Sequence, residues 1–207
     1  MATGGSTGSA TSVTEEYNFT ANTITAGAWA SGGSLNTGRA PTAGAGTSKD
    51  SALAFGGVIN RNQPNQANSN ASETYDGTSW TEVNNLNTAR QNMKGAGTVS
   101  AALSTGGYVT APVGNVEEYN GTSWSEQNDL STARQNVAQA GVQTAAVATT
   151  GTSPASPSLS NSTEEYDGTS WTAGTNFPEG RTSAIGTGTS TAMAVLGGTN
   201  TSPSGPG

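Results

Sequence analysis

Three pairs of adjacent carboxylates, Glu15-Glu16, Glu117-Glu118 and Glu164-Glu165, are the residues of this chain best suited to acid–base chemistry. Two carboxyl groups can divide the work of general acid and general base between them. Each pair stands in a short β-compatible run, however, and adjacent residues on a strand point to opposite faces. The two carboxylates are therefore aimed apart instead of at one substrate atom. One of each pair must enter a packed interface, where an ion needs a partner, and the repeat supplies one arginine per unit: Arg39, Arg90, Arg134 and Arg181. The pattern predicts structural Glu–Arg pairing, with Glu118 and Arg134 as the pair to test. Solvent-exposed decoration and catalysis are the alternatives, and the chain is read as not an enzyme.

Other chemistry finds little support. There is no Cys and no His, which removes disulfides, Cys/His zinc sites and any imidazole base. The Gly-rich stretch Gly44-Ala45-Gly46 is not followed by the Lys-Ser/Thr of a phosphate-binding loop. Asp76-Gly77 and Asp167-Gly168 lack the alternating Asp/Asn pattern of a calcium loop, and a turn explains them. No cofactor or metal is expected. With 14 acidic and 7 basic residues the net charge is −7, which opposes binding to phosphate backbones, so nucleic acid is not an expected partner. No apolar stretch approaches membrane-spanning length, and the N-terminus has neither the basic region nor the apolar run of a signal peptide.

The arginines belong to a larger regularity. Each follows a tryptophan by ten residues, at Trp29/Arg39, Trp80/Arg90, Trp124/Arg134 and Trp171/Arg181. A large apolar residue stands six after each Trp (Leu35, Leu86, Leu130, Phe177), and a glycine closes each unit at Gly57, Gly107, Gly151 and Gly198. The Trp-to-Trp spacings of 51, 44 and 47 residues fall where a period signifies a solenoid, propeller or array. Leu, Ile, Val and Phe make up only about an eighth of the chain, a level typical of disorder. Disordered tracts, though, have no reason to keep Trp and Arg in register while intervening lengths change.

One unit reads as four strands. Val116-Glu117-Glu118-Tyr119 and the segment beginning at Trp124 flank Asn120-Gly121, a predicted type I′ hairpin turn with two positive-φ residues; Asp76-Gly77 and Asp167-Gly168 hold the same place. These arms are strands c and d. A polar link ending in Arg134 leads to strand a, whose small residues recur at Gly46, Gly97, Gly141 and Gly188, as expected of inner strands that crowd a narrow channel. The apolar run Ala145-Ala146-Val147-Ala148 is strand b. The chain is thus one repeat domain, 1–207, with units at approximately 6–57, 58–107, 108–151 and 152–198 and a flexible tail at 199–207.

A strand ending in Gly-Gly, then Tyr, Trp and a link ending in Arg, resembles the kelch motif of β-propellers. The matching residues are Gly56-Gly57, Tyr75, Trp80 and Arg90; Gly106-Gly107, Tyr119, Trp124 and Arg134; and Tyr166, Trp171, Arg181 and Gly197-Gly198. The first unit departs by placing Tyr17 12 residues before Trp29, and the third closes on Thr150-Gly151. The resemblance implies an all-β, kelch-like propeller of four c-d-a-b repeats of about 44–51 residues. Copper sugar oxidases of that kind hold their metal with His, Tyr and a Tyr–Cys cross-link, which this chain cannot provide.

Gly4-Gly5 lies 12 residues before Tyr17 as Gly107 lies 12 before Tyr119, so the N-terminus is the tail of a strand b. Pairing of the N- and C-terminal strands is expected to close a four-bladed ring. Blades shared between subunits, or an open stack pairing end to end, are the other solutions. Length varies mainly between strand b and strand c, at 58–72, 108–115 and 152–163. These loops should share a face with the d-to-a links, and variable loops on a repeated scaffold are where recognition resides. Candidate binding residues there are Asn62, Asn65, Tyr108, Thr110, Ser153 and Ser156.

Low Lys content, abundant Gly, Ser, Thr and Asn, and the absence of Cys suit a protein of a virion or extracellular surface. The phrase Glu-Glu-Tyr-Asp/Asn-Gly-Thr-Ser-Trp with Leu-Ser/Asn-Thr-Ala-Arg also resembles kelch-like repeat proteins of marine bacteriophages and their hosts. The resemblance implies a non-enzymatic tail-fibre, spike or capsid-decorating component, homo-oligomeric, with other virion proteins or a host receptor or glycan as partners. A bacterial surface or fibre-forming protein, an intracellular protein-binding adaptor and a hydrolase using surface carboxylates follow in that order.

Overall fold

The computed structural model describes residues 2–6, 10–18, 28–154 and 159–200, with side chains from residue 31 onward. Among them there is no helix. The N-terminal strands are β1 (Ala2–Ser6), β2 (Ala10–Asn18) and β3 (Ala28–Ser31), followed by β4 (Ala43–Ser48), β5 (Ser51–Phe55), the short β6 (Val58–Ile59) and β7 (Ala67–Asn68), β8 (Ser72–Tyr75) and β9 (Trp80–Val83). Next come β10 (Lys94–Thr98), β11 (Ala101–Tyr108), β12 (Pro112–Tyr119) and β13 (Trp124–Glu126), then β14 (Ala138–Val142), β15 (Ala145–Thr149), β16 (Thr163–Tyr166) and β17 (Trp171–Ala173). The last hairpin is β18 (Ile185–Thr189) and β19 (Ala192–Leu196).

These strands build three complete antiparallel sheets in the orders β4-β5-β8-β9, β10-β11-β12-β13 and β14-β15-β16-β17. A three-stranded sheet, β1-β2-β3, precedes them and a two-stranded one, β18-β19, follows. Each complete sheet takes strands a and b from one sequence unit and strands c and d from the next. The architecture is all-β and propeller-like, and the strands a of successive sheets, β4, β10, β14 and β18, lie side by side in that order.

The expected hairpins are present in one register. Tyr75 faces Trp80, Tyr119 faces Trp124 and Tyr166 faces Trp171, with ring centroids 5.0, 5.1 and 4.9 Å apart. Tyr17 faces Trp29 in the same way, so the extra length of the first unit lies in its connection. The turn type differs from expectation. Of its residues only the glycines (Gly77, Gly121, Gly168) have positive φ, and four residues separate each Tyr from its Trp. The side chain supplies the missing order: Asn120 Oδ1 accepts the backbone N–H of Thr122 and Ser123, both at 2.9 Å, and Asp76 and Asp167 do likewise.

Crowding by a neighbouring sheet is also not what selects the glycines seven residues past each Arg. A Cβ on Gly97, whose φ is 99°, would meet the Ala101 carbonyl of its own hairpin at 2.1 Å. Contact between inner strands is met at Gly95 instead, where a Cβ would lie 2.3 Å from the Gly44 carbonyl oxygen of β4.

The core lies between sheets. Leu53 and Phe55 of one sheet pack with Leu86, Ala102, Tyr119 and Trp124, and Leu103 with Val116 packs with Leu130, Ala146 and Tyr166 in the next interface. Trp124 thus buries its ring against the preceding sheet, so an interface needs both of its sheets to form.

Among the described residues the N- and C-terminal strands do not pair. β19 pairs only with β18 among the described residues, β2 is flanked by β1 and β3, and β18 and β4 are not in contact as neighbouring inner strands are. The row of inner strands is open. β1 lies on β2 in the register of a strand b, with Ala2 opposite Glu15 and Thr3 opposite Thr14, as Ala148 and Thr149 lie opposite Glu164 and Thr163. Of the tail expected at 199–207, Thr199 exchanges backbone hydrogen bonds with Thr182 at 3.0 Å; residues 201–207 lie outside the described ones.

Candidate functional site

The repeated arginines and one glutamate per unit form buried nodes. Arg39 pairs with Glu73, Arg90 with Glu117, and Arg134 with Glu164 at 2.6 Å. The three guanidinium groups are fully buried and the carboxylates 0–2% exposed. The link from strand d of the preceding sheet carries the Arg to the entry of strand a, and strand c of the sheet it enters presents the Glu. The partner of Arg134 is therefore Glu164 and not Glu118, because sequence units straddle two sheets. Glu118, on the other face of β12, accepts a hydrogen bond from the Tyr166 hydroxyl at 3.0 Å, which confirms that adjacent carboxylates diverge.

Buried ions are held by engaged donors and acceptors, and of the three node arginines only Arg134 keeps a nitrogen, Nε, without a partner. Arg90 Nε donates to the Gly106 carbonyl at 3.0 Å and Nη2 to Ser104 Oγ at 2.8 Å. The second oxygens of the carboxylates are also occupied: Asn36, Asn87 and Ser131 donate backbone N–H groups to Glu73, Glu117 and Glu164, each at 2.7 Å. Burial lowers the Arg134 pKa, opposed by Glu164. The nodes tie link, strand b and strand c together and present no carboxylate to a substrate.

Arg181 departs from this series. Its sheet has no strand c, and it pairs instead with Glu179, two residues earlier in the same link, while its side chain is 22% exposed. Phe177 lies under its guanidinium, 5.1 Å from ring centroid to Cζ.

Of the other repeat residues, Tyr75, Tyr119, Tyr166, Trp80 and Trp124 are buried and Trp171 is half-buried. The side chains of Tyr17 and Trp29 lie outside the described ones. Sequence reading missed the indole partner: Trp124 Nε1 donates to Ser72 Oγ on the preceding sheet at 3.1 Å. The residue three before each Tyr is the signal, and it reads Ser72, Val116 and Thr163. With Val116 in place of a hydroxyl, the buried Trp171 Nε1 has no partner.

The variable loops do share a face with the d-to-a links. Leu86, Leu130 and Phe177 donate backbone N–H groups to Asn70, Gly114 and Asn161 at 2.8–3.0 Å. Arg90, Arg134 and Arg181 donate to Ser69, Val113 and Ser160 at 3.1–3.4 Å. On this face Asn62, Asn65 and Thr110 are exposed and Tyr108 is half-buried. Asn62 adopts a φ of 64°, with its N–H donated to Gln66 Oε1 at 2.9 Å. Ser153 is only 7% exposed and is withdrawn from any recognition surface, because its loop folds back onto the sheet: Ser160 donates its N–H to Gly151 at 2.9 Å. Ser156 lies outside the described residues. Among the described residues no cluster of acidic side chains could hold a metal ion, and no helix is long and apolar enough to cross a membrane.

No family model matches the sequence, and no curated protein matches it. Among solved structures, that of YjhT is similar, with a TM-score of 0.69 at 12% identity over 85% of this chain. The match spans 63% of the YjhT chain, less than two thirds of its length. At that identity the likeness speaks for the fold alone.

Proposed function

We propose that the chain is a non-enzymatic structural or adhesive component of a phage particle, a kelch-like propeller that presents variable loops from a tail fibre, spike or capsid surface. The observation that carries this reading is the division of labour between repeat and loop residues. The repeated Arg39, Arg90 and Arg134 are consumed in buried architecture with Glu73, Glu117 and Glu164, while Asn62, Asn65 and Thr110 stand exposed on loops of unequal length. Such a surface recognises a host receptor, glycan or neighbouring particle protein through polar side chains and backbone. Location and binding are tested separately. Mass spectrometry of purified particles should find the chain at stoichiometric level, and absence from particles overturns the assignment. Replacing residues 60–66 with a short Gly-Ser turn should abolish host-cell or glycan binding while leaving the unfolding midpoint near that of the parent; unchanged binding removes this face from recognition.

A second reading, a bacterial cell-surface or fibre-forming protein assembling through its terminal strands, is favoured by one observation: β19 has no partner on its outer edge among the described residues.

A further inference from the structure

The interface beside the last hairpin lacks the residues that fill the others. Trp124 packs on Phe55, with centroids 4.8 Å apart, hydrogen-bonds Ser72, and shares its cluster with Leu53, Leu86 and Ala102. Two units on, those positions hold Thr149, Thr163, Val147, Phe177 and Met193. All five line an open groove of ≈ 280 Å³. It is the repeat's Trp and Tyr site, lined by neither ring among the described side chains, and Thr163 provides a hydroxyl where Ser72 accepts an indole N–H.

The sheet next to the groove is half a blade. β18 and β19 are strands a and b, and β2 and β3, with Tyr17 opposite Trp29, have the register of strands c and d. Pairing of β19 with a strand c in the register of the complete sheets sets Met193, Ala194, Val195 and Leu196 opposite Tyr17, Glu16, Glu15 and Thr14. β1 now takes this place on β2, but its pairing reaches Glu15 and not Tyr17, whereas in a complete sheet Ala146 faces Tyr166. A strand b that also pairs opposite Tyr17, and brings strand a with it, displaces β1 with a gain in ladder. Ile185 and Leu196, 60% and 55% exposed, lie on the hairpin left bare.

Arg181 gives an independent sign. Its three counterparts are buried against a strand-c glutamate, while Arg181 is held by the exposed Glu179 and is itself 22% exposed. Glu15 occupies the register position of Glu73, Glu117 and Glu164. Pro178 stands where Asn36, Asn87 and Ser131 donate their N–H groups, so the completed node keeps its arginine and loses one backbone donor.

We infer that the β18-β19 edge and its groove receive the β2-β3 hairpin of a second copy of this chain, joining copies head to tail. A second copy is favoured over the chain's own hairpin because, among the described residues, the inner strands form a row in which β18 is not a neighbour of β4. The inference rests on the propeller reading and is independent of the phage assignment.

The chain contains no cysteine, so Glu16→Cys with Ala194→Cys places its only two thiols opposite each other across the junction. Facing residues of an antiparallel pair have Cα atoms about 4.5–5.5 Å apart, within disulfide range. Oxidation of the full chain should give a ladder of covalent dimers and longer species on a non-reducing denaturing gel. Adding Trp29→Ala should cause loss of that ladder. A cross-linked monomer overturns the assembly and leaves the propeller standing, and so does the absence of any cross-link. Native mass measurement of the unsubstituted chain at rising concentration is the second check: species of more than one chain are expected, and a monomer throughout overturns the inference.

Discussion

Arg90 and Glu117 meet inside the β10–β13 sheet with both side chains fully buried, the guanidinium arriving from the link that follows β9 and the carboxylate from β12. Their ion pair joins three stretches of chain that sequence separates by up to 27 residues. Removing either partner leaves a buried charge without its counter-ion. Arg90→Ala and Glu117→Ala are each expected to cost about 3–5 kcal/mol, and the double variant clearly less than their sum. Urea unfolding of the four proteins measures the coupling; additive losses would show that the pair is not an energetic unit.

The indole of Trp124 depends on Ser72. Ser72→Ala leaves the Trp124 N–H buried and unpartnered, at a cost of about 1–3 kcal/mol. Trp171 is already in that condition, with Val116 at the position of Ser72. Val116→Thr supplies an acceptor and is expected to be milder than Val137→Thr, a change at an equally buried valine. Thermal midpoints of the three variants decide the point.

Acid stability should respond to the turns. Backbone N–H groups of Ser79 and Thr78 hold the Asp76 carboxyl below its usual 3.8, and those of Ser170 and Thr169 do the same for Asp167. A pKa depressed in the folded state contributes stability that is present above the unfolded value near 3.8 and is lost as pH falls through the folded one. Asp76→Asn with Asp167→Asn keeps the acceptor, as Asn120 does naturally, and removes the titration. Unfolding free energy of the variant should therefore fall less steeply below pH 4 than that of the parent.

At the alkaline end the sign reverses. Burial, then the hydrogen bond to Glu118, raises the Tyr166 phenol above its ordinary 10.0. The stability this brings is complete below pH 10 and declines as pH rises past it, because the unfolded chain ionises first. Tyr166→Phe gives up the hydrogen bond at neutral pH but should flatten the decline between about pH 10 and 11, read as the unfolding midpoint against pH.

Much of the local design was legible because it is written in short-range chemistry. Trp and Arg ten residues apart, with Asp/Asn-Gly before the Trp, are enough to anticipate a hairpin followed by a link and a buried guanidinium. The face shared by loops and links follows from strand alternation. Which carboxylate meets which arginine was not legible: Glu118 and Glu164 are equally plausible partners for Arg134 until the split of each unit between two sheets is known. Ser153 is polar and lies in a variable loop, yet it is buried, because loop burial depends on how the chain folds back and not on residue type.

The amino-acid sequence by itself determined the repeated strands, the aromatic pairs at each hairpin and one arginine in register per unit, since each follows from side chains a few residues apart acting through turns and alternation. Tertiary structure alone decided the pairing of Arg39, Arg90 and Arg134 with glutamates of a neighbouring unit, the vacant aromatic groove beside β19, and the open row of inner strands. These depend on the angle between successive sheets, which arises from many small packing contacts and has no signature at any one position.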